Sequence, residues 1–230
     1  MRFLDQFTVL LLDMNGTFVF GHDRLGPDDD YFATYTSVGG HNLDRDTVVR
    51  TIKAVVDALW RVYDDPRYID DFPTVAEALA QCSSGIDGDE LSVLEEVIAL
   101  HEFGSVPPAH DQFLRCIAKT HGLAIVSNLW SRPDRWLSAF RDRELHAIFE
   151  TMVFSSQTRS IKPSRLLFDR ALAAFPAESS VLFVGDSLER DIIPAKALGL
   201  ATAWIAPAGS VATAADVVVE SLPELMEFAD

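Results

Sequence analysis

The sequence is short of positive charge and of cysteine. Its 19 Lys and Arg stand against 35 Asp and Glu, a formal net charge of −16 at pH 7. A general binder of nucleic acid or of anionic membranes needs a basic footprint, so this balance argues against both. It leaves room for a local cationic pocket around one phosphate. Only two cysteines occur, Cys82 and Cys116. With no CxxC pair or Cys/His cluster, neither a zinc site nor a disulfide framework is indicated, and reduced thiols in a cytoplasmic protein are expected. Long hydrophobic runs are also missing. The apolar stretch Val9-Leu10-Leu11-Leu12 near the N-terminus lies between Asp5 and Asp13, too short and too acidic in its flanks for a signal peptide or a membrane span. No internal repeat or low-complexity segment interrupts the chain.

What the sequence does have is enough apolar material for a sizeable core: 48% of 230 residues are hydrophobic. Six short apolar runs read as strands, namely Phe7–Leu12, Leu123–Val126, Thr151–Phe154, Val181–Val184, Ala201–Ile205 and Val217–Val219. Runs this short and apolar on both faces suit a parallel sheet covered on both sides. Helical patterns lie between most of them. Arg132–Arg141 has Pro133 near its start, and Ser164–Phe175 follows Pro163 with apolar positions at Leu167, Phe168, Leu172 and Phe175. Asp191–Leu198 ends at Gly199, a position suited to a left-handed cap. The alternation predicts an α/β fold with a doubly wound, Rossmann-like parallel sheet.

About a hundred residues separate the first strand from the second, too many for one crossover. The intervening stretch reads as helical over Thr47–Tyr63, Thr74–Gln81 and Asp89–Glu102. In the first of these, Val48, Ile52, Val55, Val56, Leu59 and Val62 fall close to one face. Between Phe20 and Gly104, 18 Asp and Glu stand against 6 Lys and Arg, which fits a separate soluble module. The expected organisation is an α/β core of residues 1–19 and 105–230, with a helical cap of residues 20–104 inserted after the first strand. A cap there lies over the carboxyl ends of the strands, where open α/β sheets bind ligands, and is placed to exclude water and select substrate.

Four segments at strand ends carry candidate chemistry. Asp13-Met14-Asn15-Gly16-Thr17 presents a carboxylate at the sheet rim, although Asn-Gly alone is equally a turn. Ser127-Asn128 offers a hydroxyl for a phosphoryl oxygen, or a cap for the next helix. Lys162, before Pro163, can neutralise a carboxylate and a phosphate together; taken singly, a surface lysine is the simpler reading. Gly185-Asp186-Ser187-Leu188-Glu189-Arg190-Asp191 places two carboxylates where they can converge, and hard divalent cations favour such oxygen ligands.

In combination and in this order, the four segments resemble the haloacid dehalogenase superfamily, in its capped phosphatase branch. The resemblance runs from Phe7 to about Ala206 and includes the gap after Thr17 where this superfamily can carry a helical cap. It implies a magnesium-dependent hydrolase acting on a small phosphorylated metabolite. Asp13 would be the nucleophile and form an aspartyl-phosphate intermediate. Mg2+ would be held by Asp13, the carbonyl of Asn15 and Asp186, with Asp191 binding a metal water or positioning Lys162. Phosphate would be bound by Ser127, Asn128, Lys162 and the segment Asn15-Gly16-Thr17, with Ser187 as a further contact. No nucleic-acid or membrane partner is implied, and oligomeric state is not legible.

The sequence departs from that pattern at Asn15. The phosphatases of the superfamily usually have a second Asp there, which protonates the leaving group and later activates water. An amide cannot shuttle a proton near neutral pH. Three readings follow. The enzyme acts on substrates that need no leaving-group acid, such as acyl phosphates, or borrows an acid from the cap, where His22, Asp23 and His41 are available. Alternatively it binds a phosphorylated ligand with weak or no catalysis. Third come dehalogenase-like or phosphonatase-like carbon chemistry; for the latter, Lys53 is the only cap lysine and reads as a surface residue. Of the cap aromatics Tyr31, Phe32, Tyr35, Trp60 and Tyr63, packing is expected for Trp60 and Tyr63. Trp130, close to Asn128, is the better candidate to touch substrate.

Overall fold

A computed structural model describes residues 3–21, 23–211 and 214–228. Six parallel strands form one sheet in the order β3-β2-β1-β4-β5-β6. They are β1 (Val9–Leu12), β2 (Gly122–Ser127), β3 (Thr151–Phe154), β4 (Val181–Gly185), β5 (Ala201–Ile205) and β6 (Val217–Val219). The helices are α1 (Tyr31–Ser37), α2 (Arg45–Tyr63), α3 (Val75–Cys82), α4 (Gly88–Glu102), α5 (Pro108–Ile117), α6 (Asp134–Asp142), α7 (Ser155–Thr158), α8 (Arg165–Leu172) and α9 (Ile193–Ala197).

Alternation along the strands explains their uninterrupted apolar runs. Leu10, Leu12, Leu123, Ile125, Leu182 and Val184 face one side, against α5, α6 and the C-terminal residues Leu222 and Leu225. Val9, Leu11, Ala124, Val126 and Phe183 face the other, against Leu167, Phe168 and Ala171 of α8 and Ala195 of α9. With both faces buried, no position in β1 is free to be polar until the strand ends at Asp13. The six strands expected from sequence all form. Helices α1, α5 and the short α7 go beyond the sequence expectation. The continuous helix predicted over Asp191–Leu198 is instead a π-helical turn, Leu188–Ile192, leading into the short α9. Gly199 takes the left-handed conformation its position suggests, with φ 81°.

The helices α1–α4 build a second apolar cluster. Val48, Ile52, Val55, Val56 and Leu59 of α2 pack on Val75, Ala78 and Leu79 of α3 and on Leu94, Val97 and Ile98 of α4. Asp44, Thr74 and Asp87 cap α2, α3 and α4 through their side chains, which satisfies amides the helices leave free. The chain enters this layer at Phe20 and returns at Ser105. These two residues pair, with Phe20 N donating to Ser105 O (2.9 Å) and Ser105 N to Phe20 O (2.8 Å). Trp130 and Ile161, from loops beyond β2 and β3, join the helical cluster. Among the described residues no helix is long and apolar enough to cross a membrane.

One buried polar knot stitches this layer. The Tyr35 hydroxyl accepts from the amides of Asn42 (3.1 Å) and Leu43 (3.0 Å) and donates to the carboxylate of Glu90 on α4. Tyr35→Phe would leave the Leu43 amide without its partner, and the Asn42 amide with Glu90 Oε1 alone (3.3 Å). A loss of about 1–3 kcal/mol is expected, measured as a shift in the midpoint of urea unfolding. An unchanged midpoint would show that the knot contributes nothing.

Candidate active site

Parallel pairing brings the predicted residues to one edge of the sheet. Leu12 is in register with Val184 and Ile125, and the Asp13 amide continues the ladder by donating to Val184 O (2.9 Å). Asp13 therefore leaves β1 beside the ends of β2 and β4. The first residues beyond those strands, Asn128 and Asp186, stand on either side.

Lys162 is the hub. Its ammonium is buried and donates to Asp13 Oδ1 (2.5 Å) and to Asp191 Oδ1 (2.6 Å). Its main chain is clamped as well. Lys162 N donates to Asn128 Oδ1 (2.7 Å), and Arg190 Nη1 donates to Lys162 O (2.8 Å). Burial alone would lower the lysine pKa, but the charges of Asp13 and Asp191 outweigh it and hold Lys162 above its ordinary value.

Three carboxylates crowd this single ammonium. Oxygens of Asp13, Asp186 and Asp191 lie within 4.8 Å of one another. Asp186 keeps an exposed edge while Asp191 is buried. Both are pushed above the ordinary carboxylate range, first by burial. The negative charge of Asp13 adds to this in both, and Asp191 adds further to the shift of Asp186. The excess of negative charge and the all-oxygen donor set suit a hard divalent cation. Asp191 Oδ2 also accepts from the Ser187 amide (3.0 Å), so both its oxygens are engaged, an arrangement that positions Lys162.

Two glycines permit this crowding. A Cβ on Gly185 would strike the Asp191 carboxylate, and one on Gly16, at φ 78°, would strike that of Asp186. The π-helical turn contributes by holding Asp191 under Ser187, whose carbonyl accepts from the amides of both Asp191 and Ile192.

A cavity of about 190 Å³ opens on this cluster, lined by Asp13, Asn15, Asn128, Lys162, Asp186 and Asp191 together with Asp23, Tyr63, Ser187 and Arg190. Of the remaining predicted residues, Thr17 is buried beneath Asp13 and donates to its Oδ2 at 3.4 Å. Ser127 is fully buried and is not among the lining residues. Asp23 is brought to the cavity. His41 is not; it bonds the carbonyl of Gly39. His22 lies outside the described residues.

Arg190, Glu102 and the wall role of Tyr63 and Trp60 escape the sequence reading. Arg190 lies over the Tyr63 ring, 3.6 Å from its centroid, and donates to Tyr63 O (3.1 Å). Packing is the sequence expectation for Trp60 and Tyr63, yet both line a second cavity of about 240 Å³ beside the first, and Trp130 lines it too. The buried Glu102 carboxylate closes that cavity and accepts from the amides of Trp130 (2.6 Å) and Ser131 (2.8 Å) and from the Ser131 hydroxyl. The sequence signal for Glu102 is spacing: Leu94, Ile98 and Glu102 fall on one stripe of α4, so a carboxylate continues an apolar row.

Burial raises the Glu102 carboxyl to about 7, against the opposing hydrogen bonds from Ser131 and Trp130. Between its ordinary value of 4.5 and about 7, the folded protein holds a proton that the unfolded chain releases. Stability therefore falls as pH rises through this window. Glu102→Gln removes that dependence. The wild type should lose stability relative to the variant between about pH 5 and 7 in urea unfolding; parallel curves would contradict the assignment.

Comparison with known proteins agrees with this arrangement. Residues 161–225, which contain Lys162, Asp186 and Asp191, match the HAD-hydrolase-like family. The pyrimidine 5'-nucleotidase YjjG of Escherichia coli is 41% identical over 109 residues, 46% of this chain and 48% of the relative. A glyceraldehyde 3-phosphate phosphatase of Pyrococcus furiosus is 30% identical over 144 residues, 57% of this chain and 59% of the relative. These matches thus span about half the length of the curated relatives. Solved structures share the fold over nearly the whole chain. The magnesium-bound HAD-hydrolase YfnB of Bacillus subtilis has a TM-score of 0.63 at 20% identity, covering 96% of this chain and 98% of its own. A 2-haloacid dehalogenase of Pseudomonas syringae has 0.65 at 20% identity, covering 96% and 97%. The segment that holds Lys162, Asp186 and Asp191 is thus similar to HAD-like hydrolases, and the fold is shared with these solved structures along nearly the whole chain.

Proposed function

We propose that the chain is a magnesium-dependent phosphatase that hydrolyses a small phosphorylated substrate through an aspartyl-phosphate on Asp13. The observation that carries this reading is the Lys162 ammonium shared by Asp13 and Asp191, with Asp186 beside them, at the floor of a polar cavity. Phosphatase and nucleotidase activities in the names of the two curated relatives support it. The donors that would hold Mg2+ are Asp13, Asp186 and the main-chain carbonyl of Asn15; the metal would supply charge neutralisation for the phosphoryl oxygens.

In the first step an Asp13 carboxylate oxygen attacks phosphorus, and the bond from phosphorus to the ester oxygen breaks. The leaving oxygen takes the electron pair, while Lys162 offsets charge on the phosphoryl group. In the second step water attacks the phosphorus of the acyl-phosphate. The bond to Asp13 breaks, which releases inorganic phosphate and restores the carboxylate.

Each step needs a proton moved, and the Asn15 amide cannot move it. Asp23 lines the cavity beside Asn15, and we assign both proton transfers to its carboxyl group. It protonates the leaving oxygen and then takes a proton from the attacking water. The second reading, a phospholigand-binding protein with weak catalysis, is favoured by Asn15 alone.

A panel of phosphate monoesters and acetyl phosphate, assayed with magnesium, separates the two. Asp13→Ala should abolish turnover. Asp23→Asn should lower kcat for alkyl esters by about 10²-fold, the usual worth of a general acid, with a smaller effect on acetyl phosphate. Asn15→Asp should raise kcat for alkyl esters. Turnover that survives Asp13→Ala would refute the nucleophile, and tight ester binding without turnover would establish the binding reading.

A further inference from the structure

The second cavity has a chemistry of its own. It shares Asn15, Asp23, Tyr63 and Asn128 with the phosphoryl cavity, so a group attached to a bound phosphate enters it directly. Its apolar wall is made of Leu25 and three aromatic rings. Trp60 meets Trp130 at 4.9 Å and 72° and Tyr63 at 5.2 Å and 86°, while Tyr63 meets Trp130 at 5.7 Å and 76°.

Rings set almost at right angles form a corner. No two of them are parallel, so they offer no slot in which a flat ring is sandwiched. A compact, rounded group fits such a corner better. Trp60 is 51% exposed, an uncommon state for so large an apolar ring, and therefore does not serve only to fill a core.

Charge narrows the class further. Among the described residues, the lining includes two carboxyl groups, Asp23 and Glu102, and no Lys, Arg or His. Tyr63 already receives the Arg190 guanidinium on its ring, which shows that this ring serves as a cation–π acceptor. Aromatic faces at right angles, with the acidic Asp23 and, above about pH 7, the Glu102 carboxylate beside them, are the recognition chemistry of alkylammonium groups.

Resting on the phosphatase reading, we propose that this cavity is the leaving-group subsite for a compact alkylammonium cation, so that the substrate is a zwitterionic phosphate monoester of the choline phosphate type. The phosphate lies on Lys162 and Asp13, and a short alkyl tether past Asn15 carries the ammonium to Trp60, Tyr63 and Trp130. Hydrolysis yields inorganic phosphate and the free amino alcohol.

Choline phosphate and its uncharged isostere, 3,3-dimethylbutyl phosphate, share shape and scissile ester and test the charge alone. The KM for choline phosphate should be lower by about tenfold, the scale of a desolvated cation–π contact. Trp60→Leu should erase the difference, and Trp60→Phe should keep most of it. Equal KM values in the wild type, or a difference that survives Trp60→Leu, would overturn the proposal. So would a preference for nucleoside 5'-monophosphates over both esters, which would assign the cavity to a flat ring. If no ester is turned over, the phosphatase reading fails separately. The subsite is then judged by tryptophan fluorescence: quenching by tetramethylammonium that is lost in Trp60→Leu supports it, and no quenching rejects it.

Discussion

Everything at the strand ends depends on one buried ammonium. Lys162 lies between Asp13 and Asp191, with little access to water. Pairing of this kind repays burial only with good geometry and further hydrogen bonds. Both are met here. Asn128 and Arg190 hold the lysine main chain, Thr17 holds the far oxygen of Asp13, and the Ser187 amide holds the far oxygen of Asp191. Removing the lysine would leave three carboxylates facing one another with no counter-charge. The same excess of negative charge makes the cluster receptive to a divalent cation, so the interaction that organises the strand ends also prepares them to be loaded.

The helical layer is tied to this hub at several points. Tyr63, the last residue of α2, accepts from Asn128 Nδ2 (2.9 Å) through its hydroxyl, and its ring and carbonyl contact Arg190. Glu102, at the end of α4, holds the amides of Trp130 and Ser131 beyond β2. The Arg159 guanidinium reaches across to Asp71 and Glu77, and the Ser164 hydroxyl donates to Asp70 (2.6 Å). The exposed ion pairs add little stability singly. Their geometric effect is larger: the helices that wall the second cavity are referenced to the same loops that hold Lys162.

Much of this is legible in the sequence, for physical reasons. Strands buried on both faces must be apolar throughout, so Leu10 to Leu12 and Leu182 to Val184 announce themselves, and the first charged residue after each marks the sheet rim. That is why Asp13 and Asp186 stand out. Lys162 and Asp191 are legible only through the order of motifs, since their meeting across 29 residues is tertiary. Trp60 misleads because it lies beside the apolar face of α2, and period alone cannot tell a wall from a core. Glu102 stays hidden because its partners, the amides of Trp130 and Ser131, leave no mark on side-chain pattern. The π-helical turn reads as ordinary helix for the same reason: it is set by where Asp191 must reach.

Under the proposed mechanism, Asn15 sets this site apart from one with two aspartates, because attack is assigned to Asp13 while proton transfer must come from elsewhere. The decisive measurement is acid quenching after mixing with acetyl phosphate and magnesium, followed by mass analysis of the peptide containing Asp13. One phosphoryl group on Asp13 is expected, accumulating because water attack is slower than phosphorylation. Brisk steady-state turnover with no phosphorylated Asp13 would contradict an aspartate-centred mechanism.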